Sequence, residues 1–151
     1  MATHSWFSNP VLAAGLIAWL IAQVLKLPLD YHAKRRWNWA ILISPGGMPS
    51  SHTALMTATT LAIGLFAGFD TPVFALGVAT SMVVIYDATN IRRQAGIHAQ
   101  KINILVNKLF SGQPISEEQL REVLGHTPIE VFVGFLLGVV VALLTWALWR
   151  K

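Results

Sequence analysis

The chain is short of the residue types that most soluble enzymes depend on. It contains no cysteine, and only 12% of its 151 residues are charged, whereas ordinary soluble domains carry about 25% charged residues. The absence of cysteine excludes disulfides, thiolate catalysis and cysteine-based zinc sites. Because 54% of the residues are hydrophobic, the apolar excess must face a lipid bilayer. The length fits about one domain, so we interpret residues 1–151 as a single transmembrane domain.

Four uncharged apolar runs approach the length of a membrane-spanning helix, which is about 20 residues. The sequence therefore predicts an all-α integral membrane protein, a small bundle of about four transmembrane helices. Residues that typically cap a helix stand near each start, namely Asn9, Ser51, Asp70 and Thr127. The four runs are residues 10–25, 53–69, 71–86 and 131–149.

The basic residues are distributed unequally between the two sides that these spans define. If the runs cross in turn, nine lysines and arginines lie on one side, and Arg150 and Lys151 lie on the other. Because basic loops remain in the cytoplasm, we expect the nine on the cytoplasmic side of a bacterial inner membrane or its equivalent. Topology and anionic lipids then explain the net charge of +4 without nucleic acid. The nine are Lys26, Lys34, Arg35, Arg36, Arg92, Arg93, Lys101, Lys108 and Arg121.

Two segments that do not span, residues 27–51 and 87–126, lie on this basic side, and we expect the functional residues there. Between Ala95 and Leu109, apolar residues recur at helical spacing among polar ones. This pattern predicts an amphipathic cytoplasmic-side helix that either extends the third span or lies on the membrane. Residues 117–124 predict a further short helix.

The first candidate site is the turn before the second span, Gly-Gly-Met-Pro-Ser-Ser-His-Thr. Glycines such as Gly47 allow an anion to approach the backbone closely, and the hydroxyls of Ser50 and Ser51 can donate hydrogen bonds to it. The free N–H groups and the positive end of the helix attract an anion, so the turn suits phosphate. His52 is then placed to give a proton to a departing oxygen. The alternative is an N-cap with a flexible linker, in which His52 is a wetted interfacial residue.

The second candidate site begins the fourth span with His126 and Glu130. The two residues are four apart, so their side chains share a helix face, and the carboxylate is placed to orient the imidazole for attack on phosphorus. The alternative is a capping box, in which Glu130 only reaches back to a backbone N–H.

The third candidate site is the end of the third span, where Asp87 precedes Arg92 and Arg93. Guanidinium groups bind phosphate through paired hydrogen bonds; alternatively, the arginines are membrane anchors and Asp87 is a partner for one of them. Lys26, which ends the first run, is a further candidate phosphate ligand; alternatively, the basic cluster that it begins contacts anionic lipids. Asp87 and Glu130 together are also candidates for a divalent metal.

Pro49-Ser50-Ser51-His52 and the run Gly-His-Thr-Pro-Ile-Glu-Val-Phe-Val-Gly from Gly125 give the chain a family likeness. It resembles the divergent branch of the type 2 phosphatidic acid phosphatases, which are related to vanadium haloperoxidases. The resemblance implies that His52 is the acid, that His126 forms a phosphohistidine, and that Glu130 replaces the usual aspartate. It implies no required cofactor. Because the superfamily usually has six spans, four spans favour a homo-oligomer.

The function expected from the residues and the resemblance is hydrolysis of a lipid phosphomonoester or diphosphate at the cytoplasmic face. Phosphatidylglycerophosphate and phosphatidate, which are made inside the cell, are the favoured phospholipid substrates. Two other functions fit the same sequence: a non-catalytic protein that binds or transports anionic lipids, and a structural subunit of a membrane complex.

Overall fold

The computed structural model describes residues 8–42, 46–109 and 125–150, apart from the side chains at positions 33, 92, 93, 107 and 108. In this part of the chain every regular element is helical. A short 3₁₀ turn, Trp39–Leu42, follows the first helix, and a π turn, Asp87–Ile91, joins the third helix to the fourth. The five α-helices are α1 (Pro10–Lys34), α2 (Ser51–Ala67), α3 (Pro72–Tyr86), α4 (Arg92–Leu109) and α5 (Pro128–Trp149).

The helix starts follow from local capping chemistry. Asn9 caps α1 and Thr127 caps α5, as predicted, and a proline occupies the first turn of both helices. The predictions for the other two caps were each wrong by one residue. Ser50, not Ser51, caps α2, because its oxygen accepts the Thr53 N–H. Thr71, not Asp70, caps α3, because the cap residue must directly precede Pro72 at the first helical position.

The helix lengths confirm the all-helical membrane architecture. Three helical stretches are long and apolar enough to cross a bilayer: Pro10–His32, Pro72–Val106 and Pro128–Trp149. Helix α2 is apolar but has only 17 residues, which gives a length of about 25 Å against about 30 Å of hydrocarbon. Helix α1 continues past the predicted end at residue 25 to Lys34. It therefore extends beyond the apolar run by more than two turns.

Small residues hold α1, α2 and α5 together. Alanines at four-residue spacing form fully buried stripes on α1 and α2. On α5, Gly134 and Gly138 face α2 so closely that an added Cβ at Gly134 would lie 2.5 Å from the Ser50 carbonyl oxygen. Such small-residue stripes allow helix backbones to approach each other in lipid, where no water drives association. The buried alanines are Ala14, Ala18 and Ala22 on α1, and Ala54, Ala58 and Ala62 on α2.

Helix α3 packs against α2, where the hydroxyls of Thr60 and Ser81 are 2.9 Å apart. The π turn then leads directly into α4, so the predicted amphipathic helix is confirmed as a continuation of the third span. The continuous stretch Pro72–Val106 has 35 residues, a length of about 52 Å, which exceeds the hydrocarbon thickness. Part of α4 therefore lies outside the hydrocarbon. The predicted helix at 117–124 falls outside the described residues.

Candidate functional site

Four helix ends meet at one end of the bundle. The Ser50 N–H, at the start of α2, donates to the Glu130 carbonyl in the first turn of α5 at 3.0 Å. The His126 N–H, just before α5, donates to the Ala88 carbonyl in the π turn after α3, also at 3.0 Å. Near the end of α1, Lys26 contacts Ser51. The three candidate sites of the sequence are therefore brought together at one end of the molecule.

The His126 imidazole is the most constrained group at this end. The residue is 3% exposed, and its Nδ1 lies 3.0 Å from Glu130 Oε2. When Nδ1 carries the proton and donates to the carboxylate, Nε2 of a neutral imidazole holds the lone pair. Among the described residues, Nε2 is buried and has no hydrogen-bond partner. An oriented imidazole with an unpaired Nε2 is suited to nucleophilic attack.

Glu130 combines the two roles that the sequence left as alternatives. Its Oε2 accepts the Thr127 N–H at 3.0 Å, and the Thr127 hydroxyl accepts the Glu130 N–H at 3.4 Å, which completes a capping box. The same Oε2 holds His126. The cap fixes the carboxylate against the helix start, and the fixed carboxylate orients the imidazole.

The turn before α2 is tightly packed. Gly47 has φ +91°, a left-handed conformation that glycine adopts readily. Ser50 is fully buried, and its Oγ accepts both the Thr53 N–H at 3.3 Å and the Thr53 hydroxyl at 2.9 Å. The Ser50 oxygen is therefore used as a cap, whereas Ser51 Oγ accepts from Lys26. His52, half-buried, follows on α2 at the same end of the bundle as His126.

Lys26 continues the buried stripe that Ala14, Ala18 and Ala22 begin on α1. It is 1% exposed, and its Nζ donates to Ser51 Oγ at 3.4 Å. A charged group within a membrane bundle is costly, which is why such groups usually serve a function.

A cleft of about 720 Å³ opens at this end of the bundle. Among the described residues that line the cleft, neither His52 nor His126 is present. Thr127 and Glu130 do line it, and His126 lies next to the cleft because it contacts Glu130. Glycine backbone and basic, acidic and amide side chains contribute to the wall together with the apolar side chains of Leu29, Ile41 and Met48, so the cleft combines charged groups with a largely apolar surface. Lining residues include Lys26, Asp30, Asn38, Gly47, Thr127 and Glu130.

The remaining candidates lie at the turn between α3 and α4. Asp87 is half-buried and opens the π turn, and Arg92 and Arg93 begin α4; the arginine side chains are outside the described part. Within residues 8–42, 46–109 and 125–150, no three histidine, aspartate or glutamate side chains form a group that could hold a metal ion.

Two residues of this site were missed by sequence reasoning. Thr53 holds Ser50 in place, and Asp30 lines the cleft. Asp30 could have been found from its spacing, because it lies four residues after Lys26 and four before Lys34 and hence on the same helix face. Thr53 carries no comparable signal, because its contact with Ser50 depends on the local cap geometry.

Comparison with known proteins agrees with this architecture. The sequence profile of the Divergent PAP2 family matches residues 7–141. The chain is 37% identical over 147 residues to a Bacillus subtilis (strain 168) protein named uncharacterized membrane protein YuiD. The alignment covers 90% of this chain and 93% of that protein. No solved structure matches. The family resemblance seen in the motifs around His52 and His126 is confirmed, and the chain belongs to the divergent PAP2 family.

Proposed function

We propose that the protein is a membrane-embedded lipid phosphatase that works through a phosphohistidine on His126. The observation that carries this proposal is the buried His126 imidazole, whose Nδ1 is held 3.0 Å from Glu130 Oε2 while Nε2 has no partner among the described residues. A buried polar atom without a partner costs about 1–3 kcal/mol. Native proteins rarely keep such an atom without a function. As a nucleophile, Nε2 gains its partner when the phosphorus atom of the substrate binds.

The reaction has two displacements. The Nε2 lone pair forms a bond to phosphorus as the bond from phosphorus to the ester oxygen breaks, and His52 gives that oxygen its proton. Water then attacks the phosphohistidine and gives a proton to His52, the bond from nitrogen to phosphorus breaks, and orthophosphate leaves. Glu130 stabilises the positive charge that the imidazole carries during attack.

Positively charged groups lie beside the place where phosphate would bind. Lys26 contributes an ammonium, and the starts of α2 and α5 contribute the positive ends of their helix dipoles. Arg92 and Arg93 start α4 at the same end and are the candidate guanidinium ligands. These groups are suited to the equatorial oxygens of the transition state. Because His126 is 3% exposed, productive binding also requires neighbouring side chains to move aside from Nε2.

The proposed substrate is a phospholipid with a terminal phosphate, whose tails stay in the bilayer while the phosphate enters from the cytoplasmic side. Phosphatidylglycerophosphate and phosphatidate are the favoured members of this class. The site lies at the end of apolar helices, so a lipid reaches it by lateral diffusion.

The test is release of phosphate from a panel of phosphorylated lipids by purified protein in mixed micelles. We expect release by the wild type, loss of release in His126→Ala and His52→Ala, and inhibition by vanadate, which mimics five-coordinate phosphorus. His98→Ala, which changes an exposed histidine on α4, is the matched control and should release phosphate at the wild-type rate. Acid-labile ³²P on the wild type but not on His126→Ala would identify the intermediate.

Equal release by the wild type and His126→Ala would refute the nucleophile. No release across the panel would refute catalysis and favour an anionic-lipid-binding or structural role. Inhibition by EDTA would support the divalent metal considered for Asp87 and Glu130, and unchanged activity would exclude a removable metal.

A further inference from the structure

The last two turns of α1 place an alternating series of charges along the cleft. Lys26, Asp30 and Lys34 are spaced by four residues and all line it. Asp30 Oδ1 accepts from Lys34 Nζ at 2.7 Å. Neighbouring members of the series are separated by about 6 Å along the helix.

The second oxygen of Asp30 is an acceptor without a donor. The side chain is only 8% exposed, and among the described residues Oδ2 is buried and lacks a hydrogen-bond partner. An ionised carboxylate can only accept hydrogen bonds, and a buried one without its full set of donors is costly. Lys34 pairs with Oδ1, so Oδ2 is the oxygen of the carboxylate that still lacks a donor.

We propose that Asp30 forms a subsite for a hydroxyl group on the part of the substrate that carries the phosphate. The position of the phosphate, near Lys26 and His126, rests on the proposed function. The dianionic phosphate offers no donor and is repelled by Asp30, so the group that Asp30 accepts from must be another part of the ligand. Lys26 and Lys34 flank the carboxylate with two positive charges, which favours a neutral hydroxyl over an ammonium as the donor.

The spacing indicates which headgroup satisfies both ends of the series. Lys26 and Asp30 are about 6 Å apart along the helix axis, and a three-carbon polyol phosphate is long enough to reach from one side chain to the other. Lipids whose terminal phosphate is esterified to a glycerol with a free hydroxyl fit this arrangement. Phosphatidate does not, because its phosphate is attached directly to the diacylated glycerol and no hydroxyl remains.

The test measures binding of non-hydrolysable phosphonates to the full-length wild type in detergent by calorimetry, so that turnover plays no part. The probes are 3,4-dihydroxybutylphosphonate, n-butylphosphonate, which lacks only the hydroxyls, and 3-aminopropylphosphonate, which offers an ammonium. A hydrogen bond to a charged group is worth enough to make the dihydroxy compound bind at least about 10-fold more tightly than the butyl compound. Equal affinities, or tightest binding of the amino compound, would overturn the proposal.

Three variants separate recognition from structure. Asp30→Asn should reduce the preference for the dihydroxy compound to less than about threefold. Asp70→Asn, which changes an exposed aspartate between α2 and α3, should retain the full preference. Lys34→Ala, which removes the ion pair but leaves the carboxylate, should still bind the dihydroxy compound more tightly than the butyl compound, and it should bind the amino compound more tightly than the wild type does, because one flanking positive charge is lost. If Lys34→Ala lost the preference as Asp30→Asn does, Asp30 would be only a structural partner of Lys34.

The subsite and the catalytic proposal fail in different ways. Preference for the dihydroxy compound without phosphate release from any lipid would refute catalysis and retain the subsite. Phosphate release with equal binding of the dihydroxy and butyl compounds would refute the subsite and retain catalysis.

Discussion

At the scale of single residues, the candidate site depends on one carboxylate with two neighbours. Glu130 Oε2 accepts from the Thr127 backbone and lies 3.0 Å from His126 Nδ1. A helix cap and an orienting carboxylate are usually formed by different residues. Here the stability of the helix start and the orientation of the imidazole are coupled, and substitutions can separate them.

Glu130→Gln should separate orientation from capping. The amide oxygen can still accept the Thr127 N–H, so we expect the free energy of unfolding to change by less than about 1 kcal/mol. The neutral amide cannot stabilise an imidazolium, so phosphate release should fall at least about 100-fold. Thermal unfolding in detergent and initial rates of release measure the two effects.

Thr127→Val is the matched control, because it removes the hydroxyl that accepts the Glu130 N–H but keeps the backbone contact to Oε2. It should cost about 1 kcal/mol of stability and leave most of the activity. Equal losses of activity in the two variants would show that Glu130 acts only as a cap.

Lys26→Met tests the buried ammonium. Methionine has nearly the same length and needs no partner, and replacing a buried charge by an apolar residue is often neutral or stabilising. We therefore expect an unfolding midpoint at or above that of the wild type, together with at least a 10-fold weaker inhibition by vanadate, an effect of about 1.4 kcal/mol. Unchanged inhibition by vanadate would remove Lys26 from the phosphate site.

At the scale of helices, close packing of α5 on α2 positions the site. Gly134 faces the Ser50 carbonyl, and Gly138 faces the Ala54 carbonyl and Thr57. One turn before Gly134, the Glu130 carbonyl accepts the Ser50 N–H. The glycine contacts therefore set the distance between the two helix starts.

Gly134→Ala should disturb both packing and activity. The added Cβ would lie 2.5 Å from the Ser50 carbonyl oxygen, and backbone cannot rotate away, so the helices must separate at a cost of about 1–3 kcal/mol. The unfolding midpoint in detergent and the rate of phosphate release should both fall. Gly77→Ala, whose nearest neighbours are side-chain atoms of Thr60 at 3.2 Å or more, is the control and should be milder; equal effects would contradict the argument.

At the scale of the whole molecule, the orientation in the membrane determines from which side a ligand can reach the candidate site. Four helix ends and the cleft lie at one end of the bundle, and the α2–α3 connection lies at the other. Nine of the eleven basic residues belong to the site end by the alternation of the spans, which predicts a cytoplasmic site.

The absence of cysteine allows a direct test of orientation. Gln100→Cys on α4 and Asp70→Cys between α2 and α3 introduce single thiols at exposed positions at opposite ends. In intact cells, an impermeant maleimide should label Asp70→Cys and should label Gln100→Cys only after lysis. The reverse pattern would place the site outside the cytoplasm and remove the reason for favouring lipids made inside the cell.

The sequence was sufficient to predict the features that depend on residues close together along the chain. Apolar run lengths located the helices, and the four-residue spacing of His126 and Glu130 predicted their contact, because neighbours on one helix face depend on few other residues. It was insufficient where partners come from different helices. Neither the contact of Lys26 with Ser51 nor the unpartnered oxygen of Asp30 can be derived without the packing of α1 against the start of α2.

The alanine stripe that leads to Lys26 limits which insertions, deletions and substitutions α1 can accept. Each residue added to or removed from an α-helix turns everything beyond it by about 100°. A single insertion between Ala22 and Lys26 would therefore rotate the Lys26 ammonium away from Ser51, even if no side chain were changed. Insertions and deletions should be excluded from this stretch, whereas apolar exchanges on the lipid-facing side, at Leu16, Leu20 and Val24, should be tolerated.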